Sequence, residues 1–220
     1  MSVGRNICAI DKMTPLNPAT TDTELFHLML RGKEEAFVAL YRRWQGGIYR
    51  FALHMSGNKA LAEDVTQEVF LTLMREPARF DPERGSLPSY LYGISRNLIW
   101  QAFHKGRLLV PLEDDGAEKD GDFRETLATP HDLLDDLTRQ EGITAVRRAV
   151  LALPPHYREV VVLCDLEEFS YLEAAEISGC ALGTIRSRLN RAHGLLLKRL
   201  RIMKEVRPPS AANQVVRSKV

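Results

Sequence analysis

Cysteine is scarce: Cys8, Cys164 and Cys180 are the three in 220 residues, widely spaced, odd in number and without a CxxC pair. That excludes a disulfide framework and a cysteine-based zinc site, and it points to a reducing compartment. No uninterrupted apolar stretch approaches the ~18 residues of a membrane span. The amino terminus, MSVGRNICAIDKM, lacks the apolar run of a signal peptide. The expectation is a cytoplasmic protein with no membrane insertion. Catalytic signatures are missing as well: there is no Walker-type glycine loop, no HExxH and no GxSxG. The six histidines, at 27, 54, 104, 131, 156 and 193, share no metal-ligand spacing. Asp114-Asp115 and Asp135-Asp136 are adjacent pairs whose side chains would diverge on a helix. No enzyme, no metal and no cofactor is expected.

An excess of one charge is also lacking. Thirty Lys and Arg face 29 Asp and Glu, for a net charge of +1. The total conceals a segregation. Residues 1–112 hold 14 basic and 11 acidic groups, 113–136 hold 2 and 10, and 137–220 hold 14 and 8. Two weakly basic blocks are thus joined by a strongly acidic strip, an asymmetry that carries information the sum does not.

What is present is helical periodicity. Residues 1–20 read as a loose leader. From Thr21, Leu25, Phe26, Met29 and Leu30 form one face before Gly32, and Ala36 to Phe51 continue at three-to-four spacing. Ser56-Gly57-Asn58 is a stop. Residues 60–74 give a third helix, Pro77 to Pro88 a loop, and Ser89 to His104 a fourth helix. The first domain is therefore expected over 21–106. An acidic linker follows over 107–140, in which LLDDL is a candidate short helix. The second domain is expected over 141–204: a helix ended by Pro154-Pro155, a second from Tyr157 to Cys164, a short third from Ser170 to Ile177, a turn at Ser178-Gly179, and a long fourth from Gly183. A flexible tail takes 205–220. The fold class is all-α, two small helical domains, with a helix-turn-helix in the second.

The helix-turn-helix is the stronger chemical signal. Residues 183–204 carry seven basic residues and no acidic one. Thr184, Arg186, Ser187, Arg188 and Arg191 occupy the turns that a recognition helix inserts into the major groove. The arginine fork suits guanine O6 and N7, while Thr and Ser offer short hydrogen bonds to bases or phosphates. Residues 85–112 also lack acid, and Tyr92, Arg96 and Trp100 recur at i, i+4 and i+8. Interleaved rings and cations can stack on unpaired bases, or the rings can simply be core. The helix with Glu63, Asp64, Gln67 and Glu68 presents an acidic face that DNA would repel. Its partner is a basic protein surface, or it is plain solvent surface.

Two long stretches carry a family pattern. AEDVTQEVFLTLM at 62–74, followed by GSLPSYLYGISRNLIW at 85–100, resembles region 2 of the extracytoplasmic-function sigma factors. LPPHYREVVVLCDLEEFSYLEAAEISGCALGTIRSRLNRAHGLL at 153–196 resembles their region 4. The resemblance spans about residues 21–204 and implies a winged-helix-like helix-turn-helix without the wing. It further implies a factor that binds core RNA polymerase and promoter DNA and is held in check by an anti-sigma factor. Asp64, Gln67, Glu68 and Phe70 would dock on the polymerase clamp helices. Tyr92, Arg96, Asn97 and Trp100 would hold the −10 element as single-stranded DNA, and Thr184, Arg186, Ser187, Arg188 and Arg191 would read the −35 duplex. Three positions depart from the pattern: Tyr90 where tryptophan is common, and Gln101 and His104 where an aspartate and a basic residue are. An ordinary helix-turn-helix regulator working without polymerase, or a sigma-like decoy for an anti-sigma factor, are the alternatives.

Overall fold

A computed structural model describes residues 20–106 and 134–205, and it describes side chains of the second segment over 142–201. Every regular element among them is helical. The leader, most of the expected linker and the tail lie outside the described residues.

Local chemistry sets the helix boundaries of the first half. Helix α1 (Asp22–Leu30) starts at a capping box, where Thr21 and Glu24 satisfy each other's backbone N–H groups. Helix α2 (Glu34–Ser56) ends at Gly57, whose φ of 67° needs a residue without a Cβ. Asn58 then caps α3 (Lys59–Arg75) by accepting from the Leu61 N–H at 3.1 Å. A 3₁₀ turn at Pro77–Arg79 leads to α4 (Leu87–His104), capped by Ser86 with Pro88 in the first turn. Four helices were expected here, and four form. Leu25, Phe26, Leu40, Phe51, Leu73, Leu91 and Ile99 are buried between them, and Phe26 meets Phe80 edge-on at 4.9 Å.

The second half begins earlier than composition suggests. Helix α5 (Leu134–Leu151) starts inside the stretch expected as linker. No proline or glycine interrupts 131–141 between Pro130 and Gly142, so the backbone tolerates helix despite the local acidity. Pro154-Pro155 ends the turn after it and opens α6 (Pro155–Val161), which loosens into a π turn at Val162–Leu166. Helix α7 (Tyr171–Ser178) starts at a second capping box, Ser170 with Glu173. Helix α8 (Leu182–Glu205) packs on α6 and α7 through Ile185, Leu189 and Ala192.

Gly179, the turn residue between α7 and α8, has φ of 63° and open space where a Cβ would stand. Its cost on substitution is therefore conformational alone. Gly179→Ala should lower the unfolding free energy by about 1 kcal/mol, read from the denaturant midpoint. No loss would mean that the turn relaxes to another geometry.

The two halves are not separate bodies on a string. Helices α2 and α4 pack against α5, α6 and α7, and the buried apolar cluster runs continuously through both.

Candidate nucleic-acid interface

The amino-terminal turns of α8 are held by their own apolar side. Ile185 and Leu189 are buried, which turns Arg186, Ser187 and Arg191 to solvent and leaves Thr184 and Arg188 half-buried beside them. The Ser187 hydroxyl donates to the Thr184 carbonyl at 3.0 Å, a local bond that helical serine commonly makes. All five residues singled out in this helix thus share one end of it. Lys198, Arg199 and Arg201 extend the exposed basic strip along the helix.

On α3, Asp64 and Gln67 are exposed and Glu68 is half-buried; with Leu61, Leu71, Leu98, Gln101 and Lys105 they border a shallow groove between α3 and α4. Leu71 and Met74 are exposed apolar side chains on α3. Phe70 is placed differently from its three neighbours. It is buried against Phe37 and Tyr41, with ring centroids 6.2 and 4.8 Å away, and supports the helix from inside.

The row on α4 faces the second half of the molecule. Tyr92 is 2% exposed and Trp100 9%. The Tyr92 hydroxyl donates to Glu167 at 2.9 Å, and the Arg50 guanidinium reaches the same carboxylate oxygen at 3.2 Å. Burial foremost, then the Glu167 charge, pushes the Tyr92 phenol up. The Tyr92 ring lies between Phe51 of α2 and Phe169, at 5.3 and 4.7 Å. One turn on, the Arg96 guanidinium forms an ion pair with the wholly buried Glu159 of α6. Arg96 also lies 5.8 Å over the Trp100 ring, and Trp100 stacks on His156 at 4.9 Å. Asn97 stays exposed, within 3.4 Å of Arg96.

Glu159 is the electrostatic centre of this contact. Burial pushes its carboxyl above the ordinary 4.5. Arg96 opposes that foremost, then Arg188 of α8 and the Trp100 indole N–H, which stops short of a hydrogen bond. A carboxyl with a raised native pKa holds its proton longer in the folded chain than in the unfolded one. Its contribution to stability is therefore full below about 4.5 and is lost as pH rises through the higher native value. Relative to Glu159→Gln, the parent should gain stability as pH falls from 7 towards 5, seen in denaturant midpoints at each pH. A parent that instead loses ground would assign Glu159 a net favourable charge.

Glu159, Glu167, Arg50 and Arg158 were not singled out from sequence. The one available signal was Arg158-Glu159 standing beside the apolar run Val160–Leu163, where two charges need partners from elsewhere.

The chain as a whole matches known proteins. The models for sigma-70 region 2 and sigma-70 region 4 match residues 40–108 and 143–193, in that order. The extracytoplasmic-function RNA polymerase sigma factor EcfG of Rhodopseudomonas palustris is 36% identical over 146 residues, covering 66% of this chain and 75% of its own length. The chain is an extracytoplasmic-function sigma factor. SigW of Bacillus subtilis, of the same group, is 29% identical over 78% of this sigma factor and 92% of its own length. CnrH, solved in complex with the cytosolic domain of CnrY, shares the fold, with a TM-score of 0.61 at 20% identity over 82% of this chain and 97% of its own. The sigma factor RpoE of Bartonella quintana, solved with the anti-sigma factor NepR, gives 0.52 at 27% identity over 72% and 92%. This sigma factor is accordingly a transcription initiation protein that binds RNA polymerase and promoter DNA, built from a region 2 half and a region 4 half. Among the described residues no helix is long and apolar enough to cross a membrane.

Proposed function

We propose that this sigma factor works by binding alone, in the cytoplasm, through three separate surfaces. Asp64, Gln67 and Glu68 on α3 dock on the clamp helices of core polymerase, with Phe70 bracing them from the core. Tyr92, Arg96, Asn97 and Trp100 on α4 hold the −10 strand. Thr184, Arg186, Ser187, Arg188 and Arg191 on α8 read the −35 duplex. The halves divide the labour at 21–106 and from the start of α5 to 204. Opening the −10 duplex takes no catalytic side chain: a few kcal/mol of unstacking is recovered by stacking and backbone contacts.

The observation that carries this reading is the amino-terminal end of α8. Five polar or basic residues sit there on a buried apolar rail, without an acidic residue from Gly183 to Lys204. An anti-sigma factor is the regulatory partner we infer, as RpoE has NepR. An ordinary regulator that never joins polymerase would leave the exposed α3 face without a use.

Run-off transcription with purified chain, core polymerase and a promoter library tests the reading. Promoter-specific transcripts that depend on the chain are expected. Duplex binding without polymerase association would replace it by the ordinary regulator, and polymerase binding without open complexes by a decoy.

A further inference from the structure

We propose that α8 holds a second, sequence-independent DNA site beyond its −35 reading turns, where Gly194 seats the sugar-phosphate ridge of the duplex and Lys198 and Arg201 grip phosphates past it. Such a site rests on the reading of α8 as the −35 helix and extends it to the duplex backbone flanking that element.

Helical geometry aligns the parts. Thr184, Ser187, Arg191, Gly194, Lys198 and Arg201 recur at alternating steps of three and four residues. They therefore share one face, roughly 100° wide, on the side of α8 away from buried Ile185, Leu189 and Ala192. Thr184 is half-buried and the other five are exposed. Arg199 lies about 100° round the axis from Lys198, off this stripe.

The reading residues take up one end of the stripe. Thr184 to Arg191 spans about 10 Å along the axis, close to the ~12 Å width of the major groove. The helix continues unbroken to Glu205. A straight helix that starts in the groove crosses its phosphate wall near Gly194, and Lys198 and Arg201 lie about 6 and 10 Å farther on.

Gly194 is the independent observation. It stands inside a helix of 24 residues, where glycine is the poorest residue short of proline. Among the described residues, no neighbouring atom comes within 4 Å of where its Cβ would stand. Nothing within the molecule thus calls for glycine there. A bare stretch of backbone on an exposed face admits the close approach of another chain's backbone.

Charge and continuity identify that partner. Lys198 and Arg201 have no carboxylate partner among the described residues, and 183–204 contains no acid. Asp165, which meets this half of α8, is taken by His193 at 2.7 Å, off the stripe. Leu195 and Leu196 pack against the core, so both cations stand on a fixed support. A saddle followed by two cations, in line with the reading residues, fits the same duplex that those residues already hold.

Holoenzyme assembled from the full chain and core polymerase is compared for the parent, Lys198→Gln/Arg201→Gln and Gly194→Leu, on one promoter from the run-off library. Phosphate-ethylation interference, −35 base competition and salt dependence are read for each, with core affinity measured separately. The parent should show interference at phosphates within the −35 element and just outside it. The double variant should lose only the outer signals and bind roughly tenfold more weakly at about 0.1 M salt, with a salt slope smaller by about two. Its ranking of −35 bases should not change. Gly194→Leu should raise the thermal midpoint of the free chain, because leucine favours helix and enters open space. It should nevertheless bind the promoter about threefold or more weakly, because its side chain fills the saddle.

Outer interference that persists in the double variant, or undiminished promoter binding by Gly194→Leu, would overturn the second site. So would a loss of core affinity in the double variant, which would turn the strip into a polymerase contact. A parent without interference inside the −35 element would remove α8 from the −35 assignment itself, which keeps the two failures distinct.

Discussion

Arg158→Met should lower the unfolding free energy by about 3 kcal/mol, the largest stability effect expected of any single substitution here. The Arg158 guanidinium is buried and donates to the carbonyls of Met55, Leu151 and Leu153, the last at 3.0 Å. Met55 lies in the last turn of α2, whose carbonyls have no partner within the helix. A cation at that end also meets the negative pole of the helix. Burial disfavours the charge and draws Arg158 down to about 10, which still leaves it protonated at neutral pH. Methionine keeps the stem and the volume but leaves the carbonyls buried without donors, and each such loss costs roughly 1–3 kcal/mol. Lysine, with a point charge in place of a fork, should recover only part of the loss. The substitution should also uncouple the halves, because one acceptor, Met55, belongs to region 2 and the other two, Leu151 and Leu153, lie at the junction of α5 and α6 in region 4. Calorimetry should show one transition in the parent and two in Arg158→Met. A loss under about 1 kcal/mol would mean that water takes over these carbonyls.

Arg158 also shows where local pattern stops being informative. The elements of region 2 were legible because their signals are short-range: the Thr21 and Glu24 box, the left-handed Gly57 and the Asn58 and Ser86 caps lie within three residues of what they fix. The helix-turn-helix was legible for the same reason, through Ser170, Glu173 and Gly179. Helix α5 was foreshortened because the acidity of the strip before it reads as solvated chain, whereas the helix runs through Gly142 and continues over the proline- and glycine-free residues 134–141. At the candidate site, the amino-terminal end of α8 could be read from its charge and periodicity. The surroundings of α4 could not. Glu159 lies 63 positions from Arg96, and Glu167 lies 75 from Tyr92. No spacing rule links residues so far apart, so aromatics on α4 looked equally suited to core and to DNA. In the structure they are core.

Replacing Arg188 should have the largest effect on promoter choice, and two substitutions separate its possible contacts. If its fork reads a guanine, both Arg188→Ala and Arg188→Lys should lose about 1–3 kcal/mol of discrimination at one −35 position, roughly tenfold or more in competition between single-base variants. Lysine would still neutralise a phosphate, so its salt dependence should match the parent. If Arg188 meets only phosphate, alanine should weaken every sequence alike and reduce the salt slope by about one, and lysine should restore both. Holoenzyme assembled with each variant, competed on −35 duplexes at several salt concentrations, distinguishes these outcomes. Arg188 is half-buried and its charge also holds Glu159 down, so alanine should raise the Glu159 carboxyl further while lysine should not. That difference would appear in the free chain as a steeper gain in stability on acidification for Arg188→Ala. Binding to core polymerase should survive in both variants, because α3 lies in the other half of the molecule. Loss of core binding in Arg188→Ala would contradict the separation of docking on α3 from reading on α8.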